Sequence, residues 1–290
     1  MIVLVGGSGY VGTAYQSYFN SHGIPFVSVN RSTLNLCDKD AVSKFFKELK
    51  PQFLVNAAGY TGKPNVDMAE KEKTRCLLAN TILPGVLYEV CTDQKIPWGH
   101  ISSGCIFSGS RPDGSGFTEE DTPNFSFRQN NCSFYSGTKA LAEEIMEGST
   151  DCYTWRLRIP FNEVDGPRNY LSKVINYAKL IDVRNSISQL DEFVRATWLC
   201  WEKRVPFGVY NIVNPGSITT REVVEKIKQR RMVNKEFQFF KDEAEFMQVA
   251  AKVPRANCVM DCSKLLKTGI PMMEIHEAVD WALDHWKKVN

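Results

Sequence analysis

The first twelve residues, MIVLVGGSGYVG, restrict the fold of this chain more than any other stretch. Ile2 to Val5 form an apolar run of strand length, Gly6, Gly9 and Gly12 follow at three-residue spacing, and a helical pattern runs from Tyr10 to Asn20. A buried strand feeding a glycine turn and then a helix is the phosphate-binding entrance to a doubly wound parallel sheet. Glycines there let the backbone turn tightly, approach a pyrophosphate closely and pack helix against strand. The segment nominates Gly6, Ser8, Gly9, Tyr10, Val11 and Gly12 as a dinucleotide cradle. The spacing departs from the Gly-x-Gly-x-x-Gly of simple dehydrogenases, and glycine turns also occur where no nucleotide binds. Later segments must therefore agree with it.

They do so in order. The second strand, PFVSVN, ends at Asn30-Arg31-Ser32-Thr33, where an NAD-selective fold carries a carboxylate for the ribose 2′-hydroxyl. No acid stands here. Arg31, with Asn30 and Ser32, suits a 2′-phosphate and favours NADPH; a polar surface loop is the plainer alternative. DKDAVSKFFKEL reads as a helix capped by Asp38. PQFLVNAAGYTG is a strand from Phe53 to Asn56, followed by Ala57, Ala58 and Gly59, small residues where open α/β sheets bind their ligands. A helical stretch from Asp67 to Asp93 breaks or kinks at Pro84. Strand Trp98 to Ile101 runs into the polar turn Ser102 to Phe107, and residues 108–132 are long enough to be a lid or substrate loop.

A helix then opens at Phe134, and YTWRLRIP is a strand closed by Pro160. This alternation predicts an α/β fold, a doubly wound parallel sheet with a dinucleotide-binding domain over 1–160. Beyond it, PRNYLSKVINYAKLI, SQLDEFVRATWLCWEK and TTREVVEKIKQ read as helices, and FGVYNIVN as a strand returning to the sheet at about 205–214. VPRANCVMDCSKLL and EIHEAVDWALDHWKK suggest a loop and two helices. Residues 161–290 then make a smaller, mainly substrate-binding domain that covers the cleft. Trp198, Trp201, Trp281 and Trp286 fall at helical spacings and read as core.

Composition narrows the class. A net charge of +2 argues against a nucleic-acid partner, and no apolar run reaches the ~20 residues of a membrane span. The nine cysteines form no framework, and Cys258 and Cys262 lack the partners of a zinc site, so no metal is expected. With no leader ahead of the first strand, free thiols predict a reducing compartment, the cytoplasm.

Tyr135-x-x-x-Lys139 at the start of a helix, after the Ser102-Ser103 turn, is the sharpest chemical constellation. A phenol titrating near ~10 is a poor proton donor at neutral pH unless a cation lowers that value. Lys139, one turn along, supplies the cation and reaches the nicotinamide ribose, while Ser103 hydrogen-bonds the same substrate oxygen. Cys105, two residues after Ser103, is a reasonable proton shuttle for carbons beside a ketone. Taken alone it reads rather as a buried structural thiol, the usual fate of a free cysteine, and Lys173 as a solvated helix lysine.

VNAAGYTGKPNVD, SSGCIF, GFTEEDTPNFS, FYSGTK, RLRIP, PRNYLSK, YNIVNPG and VPRANCVMD together carry a resemblance over nearly the whole chain. The sequence resembles the extended short-chain dehydrogenases/reductases of the dTDP-4-dehydrorhamnose reductase group. It is most like the bifunctional nucleotide-rhamnose synthases (UDP-4-keto-6-deoxyglucose 3,5-epimerase/4-reductase). The resemblance implies NADPH as cofactor, a nucleotide-sugar substrate, and reduction served by Tyr135, Lys139 and Ser103. It implies epimerisation by Cys105 and Lys173, a nucleotide diphosphate held near Arg255 and Asn257, and further substrate contacts at Gly104 and Asn169. A homodimer through the long helices is expected on the same ground. FSFRQNNCSFYS is longer than the family's link into the catalytic tyrosine. The alternatives are a 4-reductase alone and a catalytically silent dinucleotide-binding subunit; intact Ser103, Tyr135 and Lys139 argue against the latter.

Overall fold

The computed structural model describes residues 1–63 and 65–289; Pro64, inside the Gly-Lys-Pro-Asn-Val-Asp motif, and Asn290 lie outside the described residues. The amino-terminal half builds a parallel sheet from β1 (Ile2–Val5), β2 (Phe26–Val29), β3 (Phe53–Asn56), β4 (Trp98–Ser103) and β5 (Cys152–Leu157). Between them run α1 (Tyr10–Ser21), α2 (Lys39–Leu49), α3 (Lys73–Leu77), α4 (Leu83–Gln94) and α5 (Phe134–Ile145). β1 and β3 are buried at every position, as their unbroken apolar runs require of strands covered on both faces. The expected cap is present: the Asp38 carboxylate accepts the Ala41 amide at 3.0 Å and opens α2.

The long helix does not stop at Pro84. It widens into a π turn over Leu78–Ile82 and continues as α4. Pro84 has no N–H for the carbonyl of Asn80 four residues back, and the widened turn absorbs that gap.

The second half is interleaved with the first. β6 (Pro160–Phe161) pairs with β9 (Ser188–Gln189), β7 (Lys179–Leu180) with β12 (Gln238–Phe239), and β8 (Arg184–Asn185) with β11 (Ile218–Thr219). Helices α6 (Tyr170–Asn176), α8 (Thr220–Gln229) and α11 (Ile275–Asp284) share one apolar cluster around Phe161, Val223 and Val279. The smaller helices α9 (Glu243–Val249) and α10 (Ser263–Lys267) complete the elements. The helix expected over PRNYLSKVINYAKLI is confined to α6, because Tyr177 turns extended and Lys179 and Leu180 pair as a strand instead.

α7 (Leu190–Glu202) and β10 (Gly208–Ile212) go back to the nucleotide half. β10 lies parallel to β5 and completes the order β10-β5-β4-β3-β1-β2. Phe193, Val194 and Trp198 of α7 share a cluster with Ile2, Leu4, Tyr15, Phe19 and Phe53, so α1 and α7 cover the same sheet face. The return therefore begins at α7, earlier than the strand at 205–214 alone. One tryptophan departs from expectation. Trp281 is 38% exposed, because α11 turns Ala278, Val279 and Ala282 to the core instead.

Residues 108–132 are not a free lid. Phe117 is buried and stacked on Phe107 at 4.6 Å, and its amide donates to the Val259 carbonyl at 2.9 Å. Gly109 likewise donates to the Asn257 carbonyl at 2.6 Å, so the excursion is laced to the 257–261 segment. The longer stretch before Tyr135 lies on α5: the Phe127 ring covers Gly137, where a β-carbon would meet it at 2.3 Å, and Arg128 pairs with Glu144 at 2.7 Å.

Candidate active site

The glycine turn is shaped for close approach. Gly6 has φ +82°, and a β-carbon there would stand 2.5 Å from the Ala58 amide nitrogen. One on Gly12 would stand 2.2 Å from the Gly6 carbonyl oxygen. Ser8 and Gly9 are exposed, Val11 packs against the core, and Gly9 starts α1 without a capping side chain, leaving the amides of its first turn for an anion. The Tyr10 hydroxyl donates to Asn162 Oδ1 at 3.1 Å and ties the turn to the second half. Beyond β2, Asn30 Oδ1 accepts the Ser32 amide at 2.9 Å and the Ser32 hydroxyl, folding a tight turn that leaves Arg31 exposed. Arg31, Gly59, Lys63, Arg75 and Arg168 line a cavity of about 400 Å³. Glycine turn, uncapped helix and cation-lined cavity fit a phosphorylated dinucleotide.

Asn80 organises the next wall, and sequence reading missed it. Fully buried in the π turn, it accepts the Tyr60 amide at 2.7 Å and donates to the Tyr60 carbonyl at 2.9 Å and Thr138 Oγ1 at 3.2 Å. It thereby fixes the chain after Ala57 and Ala58 against α5. A lone asparagine in a helical pattern gives no signal of this. Gly59 stays open between them: a β-carbon would fall 3.2 Å from Asn80 Oδ1 and 3.7 Å from Lys139 Nζ.

Ser103 ends β4 and its hydroxyl accepts the Cys105 amide at 3.3 Å, capping a single 3₁₀ turn over Gly104–Ile106. Ser133 caps α5 in turn, presenting Tyr135 and Lys139 toward that strand end. Tyr135 faces Ser103 and Cys105, and Lys139 Nζ donates to the Ile101 carbonyl at 3.0 Å. Ser103, Cys105, Tyr135 and Lys139 are thus brought together as the spacing implied.

The electrostatics differ from expectation. Burial pushes the Tyr135 phenol up, with Arg158 and the Ser103 hydroxyl opposing it, and burial favours the neutral form of Lys139. Burial also raises the Cys105 thiol; Ser103 and Ser136 hydroxyls oppose this, as do Arg158 and Lys139. Arg158 heads the cations bearing on both groups, in place of Lys139 at Tyr135 and of Lys173 at Cys105.

The remaining candidates divide. Lys173 lies half-buried on α6, with desolvation and then Arg168 lowering its affinity for a proton. Arg255 stands 2.8 Å from Asp67, and Asn257 accepts the Asn185 side-chain amide at 3.3 Å. Two further candidates are enclosed. Asn169 is fully buried, its Oδ1 accepting the Leu171 amide at 3.0 Å and its Nδ2 donating to the Val164 and Asn162 carbonyls at 2.7 and 2.8 Å. It caps α6. Gly104 is buried beneath Met260 and Arg158, where a β-carbon would meet Met260 Sδ at 2.3 Å. No group of acids, histidines and cysteines suited to a metal occurs among the described residues.

A doubly wound sheet entered through a glycine turn, with serine, tyrosine and lysine gathered at its strand ends, defines the extended short-chain dehydrogenase/reductase class. Within that class the chain belongs to the RmlD substrate-binding-domain family, whose model matches residues 1–288. It is 32% identical over 283 residues to the bifunctional dTDP-4-dehydrorhamnose 3,5-epimerase/dTDP-4-dehydrorhamnose reductase of Arabidopsis thaliana, covering 96% of this chain and 90% of that protein. It is also 32% identical over 282 residues to an Arabidopsis thaliana trifunctional UDP-glucose 4,6-dehydratase/UDP-4-keto-6-deoxy-D-glucose 3,5-epimerase/UDP-4-keto-L-rhamnose-reductase. There it covers 96% of its own length but spans only 40% of the relative. The crystal structure of the UDP-rhamnose synthase of Acanthamoeba polyphaga mimivirus shares the fold, with a TM-score of 0.89 at 23% identity over 98% of this chain and 99% of that one.

Proposed function

We propose that the protein converts a uridine- or thymidine-diphosphate 4-keto-6-deoxyglucose to the corresponding nucleotide-β-L-rhamnose, by 3,5-epimerisation followed by NADPH-dependent reduction at C4. The observation that carries this reading is the single 3₁₀ turn that sets Ser103 and Cys105 side by side against Tyr135. When bound, NADPH supplies hydride to C4. Tyr135, a phenol held protonated by burial, gives its proton to the C4 oxygen, and Ser103 hydrogen-bonds the same oxygen. Lys139, whose Nζ lies beside Gly59, would hold the cofactor ribose. The ketone these groups polarise acidifies C3 and C5, and Cys105 moves the protons there, with Lys173 of the second half as the second acid.

The second half, which we assign mainly to substrate, contributes Arg255 and Asn257 toward the diphosphate. Arg31 would meet the 2′-phosphate. We further read the protein as cytoplasmic, consistent with nine free thiols, and as a homodimer through the exposed apolar side chains Leu78, Ile82 and Ile145 near α4 and α5.

The test mixes protein, NADPH and UDP-4-keto-6-deoxyglucose and identifies the product by NMR. A parallel sample in D₂O without NADPH should place deuterium at C3 and C5. Absence of NADPH oxidation with either nucleotide sugar refutes the reading. A 4-reductase alone would give no exchange yet reduce the sugar already epimerised, and the burial of Cys105 is the observation on its side.

A further inference from the structure

A cation outside every motif role lies under the catalytic turn. Arg158 follows β5 by one residue and is 5% exposed. Its amide donates to Ser188 Oγ at 3.1 Å, and Nη2 donates to Asn185 Oδ1 at 2.5 Å and to the Ala256 carbonyl. Its Nε is buried without a partner among the described residues. The side chain runs beneath Gly104, where a β-carbon would stand 3.2 Å from Arg158 Cδ. Asn185 Oδ1 also accepts the Cys258 amide at 3.0 Å, and the Cys258 thiol donates to the Gly104 carbonyl at 3.3 Å. Arginine, catalytic turn and the 256–258 segment form one closed network.

We propose that Arg158 is a positioning residue for Cys105, holding the Gly104–Cys105 turn from below and supplying the permanent positive charge under which the thiol gives up and takes back a proton. The role rests on the epimerase reading above. The groups facing Cys105 are the Ser103 and Ser136 hydroxyls, Tyr135 and Lys139 of α5, Cys132, Cys258 and Arg158. Tyr135, Cys132 and Cys258 are weak acids that burial keeps neutral. Lys139 is committed to the Ile101 carbonyl and is itself disfavoured as a cation by burial. A guanidinium stays charged throughout the range in which proteins are folded. In the step it serves, the Cys105 thiolate takes the proton on the carbon beside the ketone. The electrons of the broken C–H bond move to the ketone oxygen as an enolate, and Lys173, as the acid on the opposite face, returns a proton that restores the ketone with inverted configuration; exchange with solvent then resets the thiol and the amine.

The test uses the full chain with Arg158→Gln, which keeps a donor for Asn185 and Ala256 but loses the charge, and Arg158→Lys, which keeps the charge. Thiolate absorbance near ~240 nm is titrated as the difference between each protein and its Cys105→Ser counterpart. The Cys105 midpoint should rise by about one to two pH units in Arg158→Gln and return toward the parent in Arg158→Lys. Deuterium exchange at C3 and C5 near neutral pH should fall about ten- to a hundredfold in Arg158→Gln, its pH profile moving with the thiol. NADPH affinity within a few-fold of the parent certifies the fold. An unmoved midpoint in a variant that still binds NADPH overturns the proposal, as does a lysine variant displaced as far as the glutamine one. If the parent itself shows no exchange, the epimerase reading fails, while the titration still decides what Arg158 does to Cys105.

Discussion

Glu143 and Arg156 form a pair that locks the catalytic helix to the sheet, and removing either partner alone should be costly. Glu143 lies on α5 one turn beyond Lys139, and Arg156 on β5; they meet at 2.7 Å with side chains 10% and 4% exposed. The Ser102 hydroxyl donates to the same carboxylate, and the guanidinium lies 5.1 Å over the Phe107 ring. At an effective dielectric near ~20 the gross attraction at this separation is about 6 kcal/mol, most of it offset by desolvation. Glu143→Gln leaves a buried guanidinium whose Nη1 already lacks a partner, and Arg156→Met leaves a buried carboxylate. Each should lower stability by about 3–5 kcal/mol in equilibrium urea unfolding. Glu143→Leu combined with Arg156→Met removes both charges and should cost well under the sum, with a coupling of roughly 1–3 kcal/mol. Single variants within about 1 kcal/mol of the parent, or a double variant as poor as the sum, would refute a pair that acts as a unit.

Tyr135→Phe should slow NADPH oxidation by the keto sugar at least ~10²-fold while the NADPH dissociation constant stays within a few-fold, read by absorbance and by fluorescence titration. Arg31→Ala should weaken NADPH about ten- to a hundredfold and leave NADH unchanged; equal affinities for both cofactors in the parent would remove the 2′-phosphate site. Asn169→Ala should destabilise the fold by about 2–4 kcal/mol through the amides and carbonyls it orphans, with the sugar KM unchanged below the melting range. His100 is fully buried, and desolvation, then Lys139, holds it well below the usual imidazole value of 6.5. The unfolded chain takes up this proton below that value while the folded chain does not, so stability falls with pH. The slope should be about 1.4 kcal/mol per unit below pH ~6.5, and His100→Gln should lose that increment in pH-dependent urea titrations.

What the sequence made legible follows from local chemistry. Ile2–Val5 and Phe53–Asn56 are apolar at every position, Asp38 precedes an amphipathic run, and the order of glycine turn, serine turn and Tyr135-x-x-x-Lys139 carries its own spacing. What stayed hidden depends on partners distant in the chain. The two-residue strands Lys179–Leu180 and Gln238–Phe239 exist only through each other. Asn169 reads as a polar residue in a matched motif and proves to be a fully buried cap. Arg158 reads as the last charge of a strand, and only folding sets it beneath Gly104, between segments ending near residues 104, 185 and 256.

The return of α7 and β10 has a consequence for how the chain is made. Until Ile212 has left the ribosome, β5 has one bare edge, and the α1 face of the sheet, with Phe19 and Phe53, waits for Phe193 and Trp198. A fragment ending at Pro160 would therefore expose an unpaired parallel edge beside a large aromatic surface, the combination most prone to intermolecular pairing. The glycine turn is synthesised well before β10, so the sheet that holds it is finished only once Ile212 has been made. A nascent-chain chaperone would thus find its longest-lived client surface on the face later covered by α7.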